Sequence, residues 1–127
     1  MRVVLDANFL MIPGQFGIDV FGEIRRILGG SYTLAVPEAV VIELVSISRG
    51  KSKDAKAAKL ALQLVEKKNV HIVPHHEKKA DSAIEEMASE GDTVVATQDK
   101  PLQSALRKRG TPLITMKGRA HLELEGM

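Results

Sequence analysis

Short runs rich in β-branched and apolar residues alternate with helix-length segments along the whole 127-residue chain, and that alternation limits the fold more than any other feature. The strand candidates are Arg2 to Leu5, Tyr32 to Val36, Val70 to Val73, Thr93 to Thr97 and Pro112 to Thr115. Helices are predicted between them at Asp19 to Leu28, Pro37 to Ser48, Lys53 to Lys68, Asp81 to Ser89 and Lys100 to Lys108. This is the pattern of an α/β domain with a largely parallel sheet. Gly29-Gly30, Gly50, Gly91 and Gly110 fall at helix ends, where a left-handed residue is wanted. No internal repeat, low-complexity tract or linker interrupts the chain, so residues 1–127 are expected to form a single domain. For Lys117 to Met127 two readings stay open, a short final strand or a tail.

There is no cysteine. That removes a disulfide scaffold, a thiolate metal site and a cysteine nucleophile, and it fits a reducing cytoplasm. No apolar stretch approaches the roughly 20 residues of a membrane span, so a soluble, cytoplasmic protein is expected. The formal net charge is only +2, with a sequence pI near 9.0. The cations come in groups, however: Arg25-Arg26, Arg49 to Lys59, Lys67-Lys68, Lys78-Lys79 and Arg107 to Arg109. Grouped lysines and arginines suit a polyanion, although any one group reads equally well as a solvated helix face. Aromatics make up 3% of the chain, with one tyrosine and no tryptophan, so phosphate contact is favoured over base stacking.

In open α/β sheets, ligands bind in the crevice beyond the carboxyl ends of the strands. Four acidic residues fall where that crevice would be: Asp6, Glu43, Asp81 and Asp99. Each aspartate also has a structural explanation. Asp6 would start the short FLMI segment, Asp81 the SAIEEMA helix, and Asp99 the helix that carries Pro101. Glu43 has less of one. Helical spacing in PEAVVIELVSIS sets it on a stripe with Val40 and Ile47, so its carboxylate is expected in or against the apolar face. An ionised carboxylate there is costly unless it is paired or bound to a metal. Asp92 precedes the fourth strand and reads as a turn residue at the opposite edge, while Asp19 reads as an N-cap and stays in reserve. An oxygen-only cluster without ligand-spaced histidine or cysteine suits a hard cation, Mg²⁺ or Mn²⁺, rather than zinc. His75 and His76 follow the third strand, where they either face the crevice or belong to a plain surface loop.

LDANFL with Asp6 and Asn8, PEAVVIEL with Glu43, ADSAIEEMA with Asp81 and VVATQDKPL with Thr97 and Asp99 resemble the ordered motifs of PIN-domain nucleases, the group that includes the VapC-type toxins. The resemblance extends over nearly the whole chain. DANFLMIP and VVATQDKPL are most similar to the archaeal branch near the PIN nuclease that cleaves pre-ribosomal RNA in the eukaryotic small-subunit processome. The resemblance implies a three-layer αβα fold with a parallel five-stranded sheet in the order 3-2-1-4-5, which would set Asp6 beside Asp99 at the topological switch point. It also implies Mg²⁺- or Mn²⁺-dependent endonucleolytic hydrolysis of single-stranded or structured RNA, a homodimer and, for a toxin, a protein antitoxin partner. Asp6, Glu43, Asp81 and Asp99 match the family's metal-site acids. Asn8 and Thr97 match polar positions that orient a carboxylate or a metal-bound water. One departure is Ala80-Asp81, where relatives near this branch carry two adjacent acids, and it bears on whether one or two metals bind.

Rival chemistries lack residues they need. A phosphoacceptor receiver requires an aspartate ending the third strand, where this chain has Val73-Pro74-His75. A haloacid-dehalogenase-type phosphatase requires a second aspartate two residues after the first, and that position is Asn8. A dinucleotide-binding fold requires a glycine-rich turn after the first strand, which DANFLM does not supply. The remaining alternative is a catalytically inactive PIN-like domain that binds RNA or protein without cutting.

Overall fold

The RVVL run forms strand β1, Arg2–Leu5, whose last three side chains are buried. A strand buried on both faces belongs in the middle of a sheet. β2 (Thr33–Pro37) and β4 (Thr93–Ala96) pair with it in parallel on either side. β3 (His71–Val73) extends the sheet beyond β2, and β5 (Leu113–Lys117) extends it beyond β4. The computed structural model describes residues 1–75, 79–118 and 121–127, so the expectations for His76 and Lys78 lie outside the described residues.

The order 3-2-1-4-5 is present, but among the described residues the sheet has six strands. β6 (His121–Glu125) runs antiparallel to β5, which corrects the expected five-stranded, all-parallel sheet. The physical reason is the HLELE alternation, which buries Leu122 and turns His121 and Glu123 outward. Of the two open readings for the C-terminal segment, the strand is correct.

Two short helices after β1 were not predicted: α1 (Ala7–Leu10) and α2 (Ile12–Phe16), which carries Pro13 near its start and ends at Gly17 with φ 69°. The remaining helices lie within a residue of the predicted bounds: α3 (Val20–Leu28), α4 (Glu38–Ser48), α5 (Lys53–Lys67), α6 (Ala80–Ala88) and α7 (Lys100–Lys108). The chain steps outward from β1 through β2 to β3, then returns to β4 and steps the other way. Right-handed crossovers in opposite directions place helices on both faces of the sheet. α6 covers β1, β2 and β4, α7 lies on β5, and α5 packs on α4 and α2. The core joins Val3, Val4 and Leu5 of β1 with Val94, Val95, Leu113 and Ile114 from the neighbouring strands. Among the described residues, no helix is long and apolar enough to cross a membrane.

Candidate active site

Strand register builds the centre of the site. Leu5 pairs with Ala96, so the next residues out, Asp6 and Thr97, stand together where β1 and β4 end. Asp6 N–H donates to the Ala96 carbonyl at 3.0 Å. The Thr97 hydroxyl donates to Asp6 Oδ2 at 2.7 Å, and Ala7 N–H donates to Oδ1 at 2.8 Å. Asn8 Nδ2 lies 3.4 Å from Oδ2, while Asn8 Oδ1 accepts from Gln98 N–H at 2.9 Å. The two segments are therefore laced by side chains as well as by the sheet. Behind them, buried Gln103 donates through Nε2 to the Thr97 carbonyl at 2.7 Å, and Gln98 Oε1 accepts from Met116 N–H at 2.9 Å.

Asp99 combines two roles that the sequence offered as alternatives. Its Oδ1 accepts from Leu102 N–H at 3.0 Å and caps α7, and its side chain also lines the cleft. Asp6 likewise caps α1 through Ala7 while facing the same cleft. Asp81 does not cap its helix. α6 begins at Ala80 with Lys79 in the N-cap position, and Asp81 lies in the first turn with Oδ1 accepting from Ser82 N–H at 2.9 Å.

Glu43 requires a correction. It is exposed rather than set into the apolar face. α4 buries Ala39, Val40 and Leu44, and the i, i+3, i+4 trio Ala39, Ile42 and Glu43 forms the adjoining face that borders the cleft. Periodicity identified the helix but chose the wrong flank for the carboxylate. Asp6, Glu43, Asp81 and Asp99 thus line one cleft of about 400 Å³, shared with Asn8, Ala80 and Lys79.

The acids sense one another. Burial raises the Asp6 pKa above its ordinary value, opposed by the hydrogen bonds from Thr97 and Ala7 and reinforced by the charges of Asp99 and Asp81. Glu43 is also raised, first by loss of hydration at the cleft wall and then by Asp6, Asp81 and Asp99. Among the described residues, no three of these groups stand close enough to hold one ion together as the side chains now lie. Their donor chemistry nevertheless fits a hard divalent cation: every candidate ligand is a carboxylate oxygen, and repulsion among such groups is relieved by a dication. Asp6 and Asp99 come from the segments that follow β1 and β4, whereas Glu43 and Asp81 come from α4 and α6.

Other predicted residues fall elsewhere. His75 does not line the cleft, and its Nε2 lies 3.5 Å from Glu86 Oε2. Asp19 caps α3, accepting from Gly22 N–H at 3.0 Å. Asp92 adopts φ 43° at the opposite edge of the sheet and pairs with the N-terminal ammonium at 3.0 Å. Sequence reasoning missed Ile42, Lys79, Gln98 and Gln103 as neighbours of the site. Ile42 and Lys79 were detectable, since one precedes Glu43 on the helix and the other lies two residues before Asp81.

A family model described as a PIN like domain matches residues 3–119. The chain belongs to this PIN-like domain family. It is 30% identical over 130 residues to Ribonuclease VapC4 of Methanocaldococcus jannaschii, covering 99% of this chain and 98% of that protein. Its fold matches the PIN domain endonuclease Utp24 with a TM-score of 0.82 at 24% identity, covering 99% of this chain and 92% of that one. VapBC-1 from nontypeable Haemophilus influenzae matches with a TM-score of 0.53 at 12% identity, covering 85% and 94% of the respective chains. At such identities the structural likenesses speak for the fold alone.

Proposed function

We propose that this protein, as a single domain of residues 1–127, is a Mg²⁺- or Mn²⁺-dependent endoribonuclease that hydrolyses phosphodiester bonds of single-stranded RNA in the cytoplasm. The observation that carries the reading is the lining of one cleft by Asp6, Glu43, Asp81 and Asp99 at the carboxyl ends of β1 and β4. Kinship with a protein named as a ribonuclease supports RNA as the substrate. Held by Asp6 and Asp99, with Glu43 and Asp81 completing the shell, the cation would lower the pKa of an attacking water and neutralise charge on the phosphate oxygens. Thr97 and the Ala7 amide fix the Asp6 carboxylate, and Asn8 locks the β4 loop to it. Lys79, on the cleft wall, supplies a cation for the substrate backbone. Hydrolysis leaves a 5′-phosphate and a 3′-hydroxyl. Homodimerisation belongs to the same proposal.

The decisive experiment incubates the purified protein with single-stranded RNA, with and without Mn²⁺, beside Asp6→Asn. The variant should lose more than the roughly 10–100-fold typical of removing a residue behind a ligand. Equal cleavage by Asp6→Asn, or cleavage indifferent to chelator, would overturn the reading. A second reading, a binding-only PIN domain, is favoured by the spread of the acids. It predicts RNA or protein binding with no cleavage in either metal. Toxin-type and ribosomal-RNA-processing roles share this chemistry. A small antitoxin gene directly upstream, with its product co-purifying, would mark the toxin.

A further inference from the structure

The amino ends of β2 and β3 carry a second concavity, about 800 Å³, at the other end of the sheet from the acids. β2 connects the two regions: Thr33 at its start lines this depression, and Pro37 at its end leads into Ala39 at the acidic cleft. A five-residue strand separates them by about 16 Å.

Two cations, Arg25 from α3 and Lys68 from the end of α5, converge here with the imidazole of His71 from β3. No Asp or Glu lines the depression among the described residues. Arg26, one position along, is committed to Glu23 at 3.0 Å, whereas Arg25 and Lys68 make no ion pair among the described residues. Lys68 Nζ lies 5.9 Å from the centroid of the Phe21 ring on α3, a cation–π contact. Lysines along a convex helix are ordinary solvated charge, but cations gathered around a concavity raise a local field that selects anions. Tyr32, the sole tyrosine of the chain, stands half-buried in the same wall. Gly29 and Gly30 leave the rim open, since a Cβ on either would meet nothing within 4 Å.

Cations combined with an aromatic surface are how proteins hold a nucleotide of a single strand, phosphate on charge and base on ring. We infer that this depression is an accessory binding site for single-stranded RNA, holding a nucleotide several positions from the bond that is cut. Arg25, Lys68 and His71 contact phosphate, and Tyr32 contacts the base. The inference rests on RNA being the substrate and adds where the strand is gripped.

The test measures binding of a labelled single-stranded RNA of about 15 nucleotides in chelator, so that nothing is cut, over a salt series. R25E/K68E should lose affinity about ten-fold or more, and the slope of log K against log salt should flatten by about 1.4, at about 0.7 per lost phosphate contact. Tyr32→Ala should lose about five-fold with the slope unchanged. Cleavage of an RNA too short to leave the acidic cleft should keep its wild-type rate in R25E/K68E. If charge reversal disturbs folding by circular dichroism, R25Q/K68Q carries the same comparison with a smaller loss. Wild-type affinity and slope in these variants, in a protein that does bind RNA, overturn the accessory site and leave the ribonuclease reading intact. A wild-type protein that neither binds nor cuts RNA overturns both.

Discussion

Loss of hydration, by burial for Asp6 and at the cleft wall for Glu43, together with neighbouring charge, pushes their carboxyls above the ordinary values of 3.8 and 4.5. A raised folded-state pKa means that the protonated form favours the fold. These groups therefore cost the metal-free protein stability as pH rises through the window between the unfolded and the raised values, and they cost none below it. A divalent cation bound by these carboxylates, as proposed above, would compete with those protons. Adding Mn²⁺ at about 100 times its Kd should stabilise the protein by about 2.7 kcal/mol, or roughly 10 °C in Tm for a domain of this size. Thermal melts with Mn²⁺ and with chelator should show the gap shrinking as pH falls from neutrality toward the ordinary values of these two acids, and shrinking at neutral pH in Glu43→Gln. A gap independent of pH would mean that the ion sits away from these acids. Ala80 lines the same cleft, so Ala80→Asp should lower the metal-free Tm and tighten Mn²⁺ binding in the same melts. Asp6 and Asp99 were legible in the sequence because a strand-end position is a local property. The setting of Glu43 was not, because a helix wheel cannot say which of two adjoining faces meets the core and which meets a cleft.

At the scale of elements, α2 and α5 approach until backbone meets backbone. A Cβ on Gly14 would stand 2.6 Å from Ala57 Cα and 2.8 Å from its Cβ, with no flexible side chain to yield. Gly14→Ala should therefore cost at least about 1–3 kcal/mol, as overpacking does. Gly50→Ala, whose added methyl would meet Ala55 Cβ at an ordinary 3.7 Å, should stay close to wild type in denaturant melts of both variants. Equal stability of the two would show that α2 shifts freely. Neither α1 nor α2 could be seen in advance, since helices of four and five residues are too short for a 3.6-residue period to register. The five longer helices were legible for the converse reason. The β6 alternation was visible but short, and what made it a strand is the free edge of β5 together with two ties. Arg107 holds Glu125 through paired contacts at 2.9 and 2.8 Å, and Glu23 Oε1 accepts from Leu122 N–H at 3.3 Å.

Across the whole molecule, charge is divided between the two ends of the sheet, which a net charge of +2 conceals. Grouping in the sequence overstated the free cations, because Arg26, Arg107 and Arg109 are paired with Glu23, Glu125 and Glu85. It also hid the convergence of Arg25, Lys68 and His71, which exists only once β3 lies beside β2. This division predicts a change of sign. Without a divalent ion the acidic cleft repels the RNA backbone, so E43Q/D81N should bind single-stranded RNA a few-fold tighter than wild type, given about 1 kcal/mol per close charge pair even in water. If the same carboxylates hold a Mn²⁺ ion that attracts phosphate, as proposed above, the double variant should bind a few-fold weaker than wild type when Mn²⁺ is present. Anisotropy titrations of a non-hydrolysable RNA analogue, in chelator and in Mn²⁺ at fixed ionic strength, measure both arms. A difference of the same sign in both conditions would place Glu43 and Asp81 outside the ion's shell, because a carboxylate that holds no cation repels the backbone whether or not Mn²⁺ is in solution.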